Sequence, residues 1–378
     1  MHKTSVHPAQ LLISSSEKEA DLYYATRFIA PDPFIFAKIR GKKYLLVSDL
    51  EIDRARSQAR VDAVVSTSKL AREYKQKTGK NPSYADLLCY FLKIHKVKNL
   101  IVPASFPLRY ADPLRRAGFK MACKNDPFFE ERQIKTPEEI ASIRQALRAT
   151  ERSVGKAIAT LKRSAIRNGK LYFKGKPLTS ESLRRIIDLS LLEDGFSGEH
   201  TIVSCGNHTV DPHDRGTGPL RAHQPIIMDV FPRSKKTLYH GDFTRTVVRG
   251  KASPKLKAMY AAVKQGQEIA FRMIRAGISG RKVHEAIQNR FTQLGFRTGL
   301  KNGRMQGFFH STGHGLGLEV HEPPRISIRD EILRAGHVVT VEPGLYYKGT
   351  GGVRLEDVVA VTRAGCTLLT KFPRPLEI

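Results

Sequence analysis

Apolar and polar positions along this 378-residue chain fall into two regimes that meet near residue 132. Before that point, short strand-like and helix-like segments alternate. Residues 34–39 and 43–47 read as strands joined by the turn Arg40-Gly41-Lys42, residues 50–59 as a helix, 99–103 as a buried strand and 110–117 as a helix ending at Gly118. Beyond it, Ile140, Ile143, Leu147, Val154, Ile158 and Leu161 recur at helical spacing. The helix they predict is opened by Thr136 as N-cap, Pro137 at its first position and Glu139 as the reciprocal partner of a capping box. Residues 168–175 then suggest a small hairpin or ordered loop. Thr179 caps a helix to about residue 193, a strand follows over 201–204, and residues 205–218 form a polar loop carrying His208 and His213. Two further helices, 253–276 and 279–294, each begin at a serine cap. The pattern predicts an α+β chain of two domains. Residues 1–132 form a mixed α/β domain, and 133–378 place carboxylate-bearing strands in one sheet with helices behind it.

Five side chains of the second domain stand out by their settings. Asp229 closes the apolar run 225–228 and Asp242 opens 242–248, so the two can face each other across a hairpin whose polar turn is residues 233–237. His314 lies in Gly313-His314-Gly315-Leu316-Gly317, where missing side chains let backbone approach a ligand. Glu342 follows the apolar run 338–341 and precedes Pro343-Gly344, which stops the strand where the carboxylate emerges. Glu356 alternates with Arg354 along 353–359, which puts the pair on one strand face. Singly, each is an ordinary strand-end acid or loop histidine. Together, four buried carboxylates without cations would cost heavily or be forced to protonate. The set suits two divalent metal ions sharing a water. Glu319, Glu322 and Asp357 read as supporting or surface groups rather than ligands.

Composition modifies this picture in one respect. Lys and Arg number 64 against 36 Asp and Glu, giving a formal charge of +28 and a pI near 10.1. Such a surface favours acidic partners. The basic residues are scattered, with no run longer than three and no alternation with aromatics, so nucleic acid is expected to bind only non-specifically. Cys89, Cys123, Cys205 and Cys366 are far apart and lack CxxC spacing, which predicts buried free thiols. Residues 1–12 hold no apolar h-region and no stretch of 18 apolar residues occurs, so a cytoplasmic protein without a membrane partner is expected. The first domain carries no GxGxxG, P-loop or nucleophile elbow.

Residues 136–378 resemble the pita-bread metallopeptidases that include methionine aminopeptidase, Xaa-Pro aminopeptidase and Xaa-Pro dipeptidase. The resemblance rests on the Lys135-Thr136-Pro137-Glu138-Glu139-Ile140 opening, Met228-Asp229-Val230, Gly241-Asp242-Phe243-Thr244-Arg245-Thr246, the stretch from Thr312 to Glu322 around His314, Val341-Glu342-Pro343-Gly344-Leu345-Tyr346, and Gly352-Val353-Arg354-Leu355-Glu356-Asp357. The first domain is similar, more diffusely, to the creatinase-type domain that precedes the catalytic one in the proline-specific branches. This resemblance implies a curved antiparallel sheet backed by helices. It also implies a homodimer that removes the amino-terminal residue from Xaa-Pro peptides through a metal-bridging water. An Xaa-Pro dipeptidase (prolidase) or a non-peptidase hydrolase or lyase on the same fold stands as the alternative. A basic nucleic-acid-binding pseudo-enzyme is disfavoured because all five ligands are present. Carried over, Asp242 and Glu356 would bridge two ions, Asp229 would chelate one, and His314 with Glu342 would complete the other. Glu342 would shuttle the proton, His321 would donate to the substrate carbonyl and His310 would act at the leaving proline nitrogen. His213 would line the pocket, and Arg354 would bind a substrate carboxylate or orient Glu356. Manganese or cobalt suits this ligand set, with iron or zinc as further candidates. The two aspartates are 13 residues apart here rather than the 11 of the resemblance, which predicts a longer hairpin tip with side-chain facing preserved.

Overall fold

The computed structural model describes residues 8–378, and its backbone contacts divide the chain after Arg132. In the first unit, strands β1 (Ala9–Ser14), β2 (Phe34–Ile39), β3 (Lys42–Val47), β4 (Ala63–Ser66), β5 (Asn99–Pro103) and β6 (Lys120–Lys124) form one mixed sheet in the order β4-β3-β2-β1-β5-β6. Its helices are α1 (Ala20–Thr26), α2 (Ile52–Gln58), α3 (Thr67–Thr78), α4 (Tyr84–Ile94) and α5 (Leu108–Arg116). Leu11 and Ile13 of β1 pack with Leu70, Leu88 and Leu114 on one side, while Leu12 packs with Leu22 and Ala55 on the other. Helices on both faces explain why Leu11, Leu12 and Ile13 of β1 are apolar in succession rather than alternating with polar residues. The β2–β3 turn is the expected one. Ile39 pairs with Lys42, and Arg40 and Gly41 take φ of 50° and 84°, the left-handed values a two-residue hairpin requires.

The second unit opens with α6 (Pro137–Lys162), whose capping box is formed as the sequence predicts: Glu139 N–H donates to Thr136 Oγ1, and Thr136 N–H to Glu139 Oε2. A small sheet follows, β7 (Ala165–Arg167), β8 (Lys170–Phe173) and β9 (Lys176–Pro177), and then α7 (Ser180–Glu193) and β10 (Phe196–Ser197). Next come β11 (Ile202–Cys205), β12 (Ile226–Val230), β13 (Arg233–Ser234) and β14 (Phe243–Val247). Helices α8 (Pro254–Met273) and α9 (Gly280–Gln293) and the hairpin β15 (Gly299–Lys301) and β16 (Arg304–Gln306) lead into the last strands. These are β17 (Gly313–Gly315), β18 (Glu322–Ile326), β19 (Val338–Val341), β20 (Gly344–Tyr347), β21 (Gly351–Arg354), β22 (Asp357–Val361) and β23 (Cys366–Leu368).

Two antiparallel sheets, β11-β12-β14 and β18-β17-β19-β22-β23, carry the candidate residues, and the β20–β21 hairpin lies between them. Glu356 N–H donates to Thr244 O at 3.1 Å and Arg354 N–H to Thr246 Oγ1 at 3.0 Å, which stitches the two sheets together. Behind the first sheet, Ala146, Val154, Leu183 and Ile187 of α6 and α7 pack on Ile226, Met228 and Phe243. Behind the second, Met259, Val263, Ile287 and Phe291 of α8 and α9 pack on Val339, Leu345 and Val359. Helices therefore shield the outer faces, and the polar side chains of the strands collect on the inner one.

Three expectations need correction. Asp229 pairs with Thr244 and Val230 with Phe243, so the extra residues do lie in the hairpin tip, but that tip is not wholly polar. It buries Leu238 and Tyr239, Arg233–Ser234 pairs with Phe196–Ser197, and the Tyr239 hydroxyl donates to Glu139 of the α6 capping box. Ser253 caps α8 through Leu256 N–H, yet Ser279 does not cap α9, because its hydroxyl is drawn to the Asp330 carboxylate. Of the four free thiols, Cys205 is buried but Cys123 is exposed on β6, at the sheet edge. Of the two alternatives for Glu322 and Asp357, supporting or surface, the buried one is found: Lys135 Nζ meets Glu322 Oε2 at 2.7 Å and Arg245 Nη2 meets Asp357 Oδ1 at 2.7 Å, all four side chains buried.

Candidate metal centre

The residues singled out in the sequence arrive from four directions at one cavity. Asp229 sits within β12, Asp242 immediately before β14, His314 in the middle of β17, Glu342 at the end of β19, and Glu356 between β21 and β22. Asp229 opposes Thr244, and Asp242, two residues before Thr244, falls on that same face. The glycines beside His314 are required by packing. A Cβ on Gly313 would run into the Thr340 carbonyl oxygen, and one on Gly315 into the Pro323 carbonyl. Only glycine lets β17 lie this tightly between β18 and β19, and a register shift between His314 and Gly315 marks the close approach.

Asp242, His314 and Glu356 each offer a donor atom, and these atoms lie within 4.8 Å of one another. His314 Nε2 is 3.7 Å from Asp242 Oδ2 and 3.1 Å from Glu342 Oε1. Its other ring nitrogen, Nδ1, is 3.1 Å from the Gly315 carbonyl, which can only accept, so Nδ1 carries a proton and Nε2 is the nitrogen that faces the carboxylates. Thr244 Oγ1 donates to Glu356 Oε2 at 2.7 Å, and Thr340 Oγ1 to Glu342 Oε1 at 3.3 Å. Asp229 Oδ2 receives Arg354 Nη2 at 2.6 Å. Two buried oxygens in this cluster, Asp229 Oδ1 and Glu356 Oε1, accept no hydrogen bond.

Electrostatics says what such a cluster lacks. Burial, and next the charges of neighbouring carboxylates, push Asp242 and Glu356 well above the usual carboxylate range. Burial opposes ionisation of Glu342 too, but the hydrogen bond and charge of His314 hold it down to about 2. His314 is raised in turn: burial disfavours its charge, and Glu342 and then Asp242 overcome that. Without a cation the four carboxylates cannot all be ionised. Unpartnered inward oxygens, an imidazole with its lone pair aimed at them and an excess of negative charge together fit divalent ions. Asp229, Asp242, His314, Glu342 and Glu356 are the residues able to hold them.

Around this floor the cavity measures about 680 Å³, and His213, His310, His321, Phe309, Arg325 and Arg354 line its walls. His213 is exposed and its backbone N–H donates to Asp211 Oδ1 at 3.0 Å. The His321 ring stands edge-on to that of His314, centroids 4.4 Å apart. His310 Nδ1 lies 2.8 Å from Ser311 O and Nε2 3.0 Å from Tyr346 Oη, so both ring nitrogens are engaged. The carbonyl fixes the tautomer: Tyr346 donates to His310 Nε2, and Arg354 Nη1 donates to Tyr346 Oη at 2.9 Å. Burial holds His310 below its ordinary value, consistent with a neutral ring.

Arg354 and Glu356 both line the cavity, although β21 ends at Arg354 and β22 begins at Asp357, so the chain passes from one sheet to another between them. Arg354 Nε donates to Thr244 Oγ1 at 3.4 Å, the hydroxyl that donates to Glu356, and the rest of the guanidinium holds Asp229 and Tyr346. Sequence reading passed over Tyr346, Thr244 and Thr340. Thr244 had a usable signal in its spacing of two from Asp242, and Thr340 in its spacing of two from Glu342. Tyr346 had none beyond its place shortly after Glu342, because the partners that matter come from β21 and the loop before β17.

A cation-holding pocket on the inner face of two joined antiparallel sheets, with helices outside, is the class of site present. Residues 141–363 match metallopeptidase family M24, and the chain belongs to that family. An Xaa-Pro dipeptidase of Pyrococcus horikoshii is 29% identical over 293 residues, 76% of this chain and 77% of that one. The peptidase YqhT of Bacillus subtilis, described as uncharacterized, is 40% identical over 178 residues, 47% of this chain and 48% of its own length. Among solved structures, the X-Pro aminopeptidase of Thermotoga maritima superposes with a TM-score of 0.80 over 98% of this chain and 97% of that one, at 24% identity, which shows a shared fold.

Proposed function

We propose that the chain is a dinuclear-metal hydrolase that releases the amino-terminal residue from peptides with proline second. The observation that carries this is the cavity whose floor gathers four carboxylates and one imidazole, two of the carboxylate oxygens unpartnered, and whose walls carry three histidines. In this reading Asp229, Asp242, His314, Glu342 and Glu356 would hold two divalent ions between them. Manganese or cobalt suits the set, and iron or zinc takes the same donors. Divalent ions in such a set supply Lewis acidity toward a carbonyl and a water activated near neutral pH.

The chain's own groups do the rest. Glu342, kept ionised, takes the proton of the attacking water and passes it toward the leaving nitrogen. His321 donates to the carbonyl oxygen as negative charge builds there. His310 and Tyr346 hold Arg354, and Arg354 holds Asp229; delivery of a proton from His310 itself requires exchange of its Tyr346 bond. His213, exposed at the rim, meets the peptide beyond the scissile bond.

The likeness to an Xaa-Pro dipeptidase over three quarters of the chain favours a second reading, in which only dipeptides fit. Hydrolysis of Xaa-Pro dipeptides and of longer Xaa-Pro peptides, with added manganese, separates the two. Cleavage of both is expected, cleavage of dipeptides alone makes the protein a dipeptidase, and cleavage of neither removes the proline-peptidase reading. The amino-terminal residues 1–132 are proposed as a creatinase-like domain and 133–378 as the catalytic one. The reading also includes a cytoplasmic homodimer with no membrane partner and only non-specific contact with nucleic acid. A monomer in sedimentation equilibrium or a salt-resistant nucleic-acid complex would contradict it.

A further inference from the structure

A second cavity of about 740 Å³ opens in the catalytic unit, distinct from the metal centre in its lining. Arg221, His223 and Lys255 line it, with neutral side chains such as Asn207, Gln224 and Thr350 between them. No carboxylate is among its lining residues. The size is that of a small-molecule site, and the charge is one-sided.

Three features of the lining suit an anion. Arg221 and Lys255 are exposed cations that no ion pair engages among the described residues, Lys255 Nζ lying 6.0 Å from the centroid of the Tyr347 ring. His223 Nδ1 lies 3.0 Å from Lys251 N–H and 3.2 Å from Lys251 O, so Nε2 is the ring nitrogen left for a ligand, and it donates in the tautomer in which Nδ1 accepts. The third is the start of α8, a helix of 20 residues. Its Pro254 has no N–H, Ser253 Oγ takes Leu256 N–H at 3.2 Å, and Ser253 O takes Lys257 N–H at 3.0 Å. Lys255 N–H is left as the amide of the first turn to which no acceptor falls, at the end of the helix where the dipole is positive. His208 also lines the cavity, but its Nδ1 is engaged by Asp214 Oδ2 at 2.7 Å.

We propose that this cavity binds a small phosphate-bearing molecule, its phosphoryl oxygens held by Arg221, Lys255, His223 and the first turn of α8. Two cationic side chains, an imidazole and a helix amide suit a dianion better than a carboxylate, because guanidinium forks and helix termini both match phosphoryl oxygens. The site goes beyond the peptidase reading and does not depend on it. It lies close to the metal centre along three segments. Residues 205–208 line the anion cavity and 211–213 the metal cavity; Pro225 lines the first and Asp229 the second; Thr350 lines the first and Arg354 the second.

The test is titration calorimetry of the full chain with inorganic phosphate and with adenosine monophosphate, against the doubly substituted Arg221→Ser, Lys255→Ser chain. Both positions are exposed, so the variant is expected to fold, and unchanged circular dichroism and peptidase activity check that it has. The expected result is one bound anion per chain, weakened at least tenfold in the variant. Tighter binding of the nucleotide than of phosphate identifies an organic phosphate as the occupant, and equal binding identifies free phosphate. Equal affinity in both chains places the anion at the metal centre or elsewhere and overturns the proposal, as does no wild-type binding at millimolar concentration.

Discussion

Asp242 illustrates how one side chain serves chemistry at the expense of the fold that carries it. Its carboxyl is buried, 3.7 Å from His314, and pushed well up in pKa by burial and by Asp229. In the metal-free protein it is therefore a source of repulsion rather than of stability. Asp242→Ala is expected to lower peptide hydrolysis by more than ~100-fold, since loss of a direct ligand should exceed the loss seen for outer partners of a metal ligand. The same variant, stripped of metal by a chelator, should melt no lower than the stripped wild-type chain. The wild-type chain should gain ~2.7 kcal/mol from an ion at a hundred times its Kd, and the variant much less. Full activity in Asp242→Ala, or a metal-free melting point well below wild type, would show that the carboxylate is structural. Arg354 is the contrasting case. Its bonds to Asp229 and Tyr346 make it a buried charge with a partner, and its removal would leave Asp229 uncompensated.

At the scale of elements, β17 is the piece on which the centre depends. Gly313 has the Thr340 carbonyl where a Cβ would stand, so Gly313→Ala must push β17 away from β19 and His314 with it. A destabilisation of ~1–3 kcal/mol is expected from overpacking of this kind, accompanied by weaker metal binding. Gly299 in β15 has open space around it, and Gly299→Ala should change the urea midpoint little and metal binding not at all. Equal behaviour of the two variants would refute the packing argument. This contrast also shows what a sequence discloses. Thr136 and Glu139 were legible because the capping box closes within four residues. Ser253 and Ser279 carry the same local signature, yet Asp330, 51 residues further on, takes the second hydroxyl and no cap forms. The five candidate ligands were legible because each borders an apolar run, alternates along a strand or lies among glycines, whereas the Arg354–Asp229 pair spans 125 residues. Alternation placed Arg354 on the face of Glu356, and both line the cavity, but it carried no sign of the pairing with Asp229. Local patterns survive when their partners are local; the pairing of sheets decides the rest.

For the whole molecule, acidity is the variable that its composition makes most telling. The chain already carries +28, so each proton taken up on acidification adds to self-repulsion. Two buried histidines outside the candidate ligand set show where uptake is coupled to unfolding. His284 and His337 are both pushed down to about 4, chiefly by burial, with His310 adding to the first and Lys135 and Arg334 to the second. In the unfolded chain each would titrate near 6.5. Between those values the unfolded state binds the extra proton, so the stability each neutral ring confers is fully present above about pH 6.5 and is lost as pH falls toward 4. The limiting slope is ~1.4 kcal/mol per pH unit for one histidine. His337 Nδ1 accepts Arg334 N–H at 3.0 Å, and an asparagine amide oxygen can take that bond without titrating. His337→Asn should therefore flatten the dependence of the urea midpoint on pH between 6.5 and 4 by up to one proton's worth, while leaving the midpoint at pH 8 little changed. Comparing variant with wild type under a chelator cancels the contribution of the carboxylates at the metal centre. Parallel curves for the two proteins would mean that His337 takes up its proton in the folded state as readily as in the unfolded one, and the loss of stability in acid would then have to come from other groups, His284 among them, and from the excess charge.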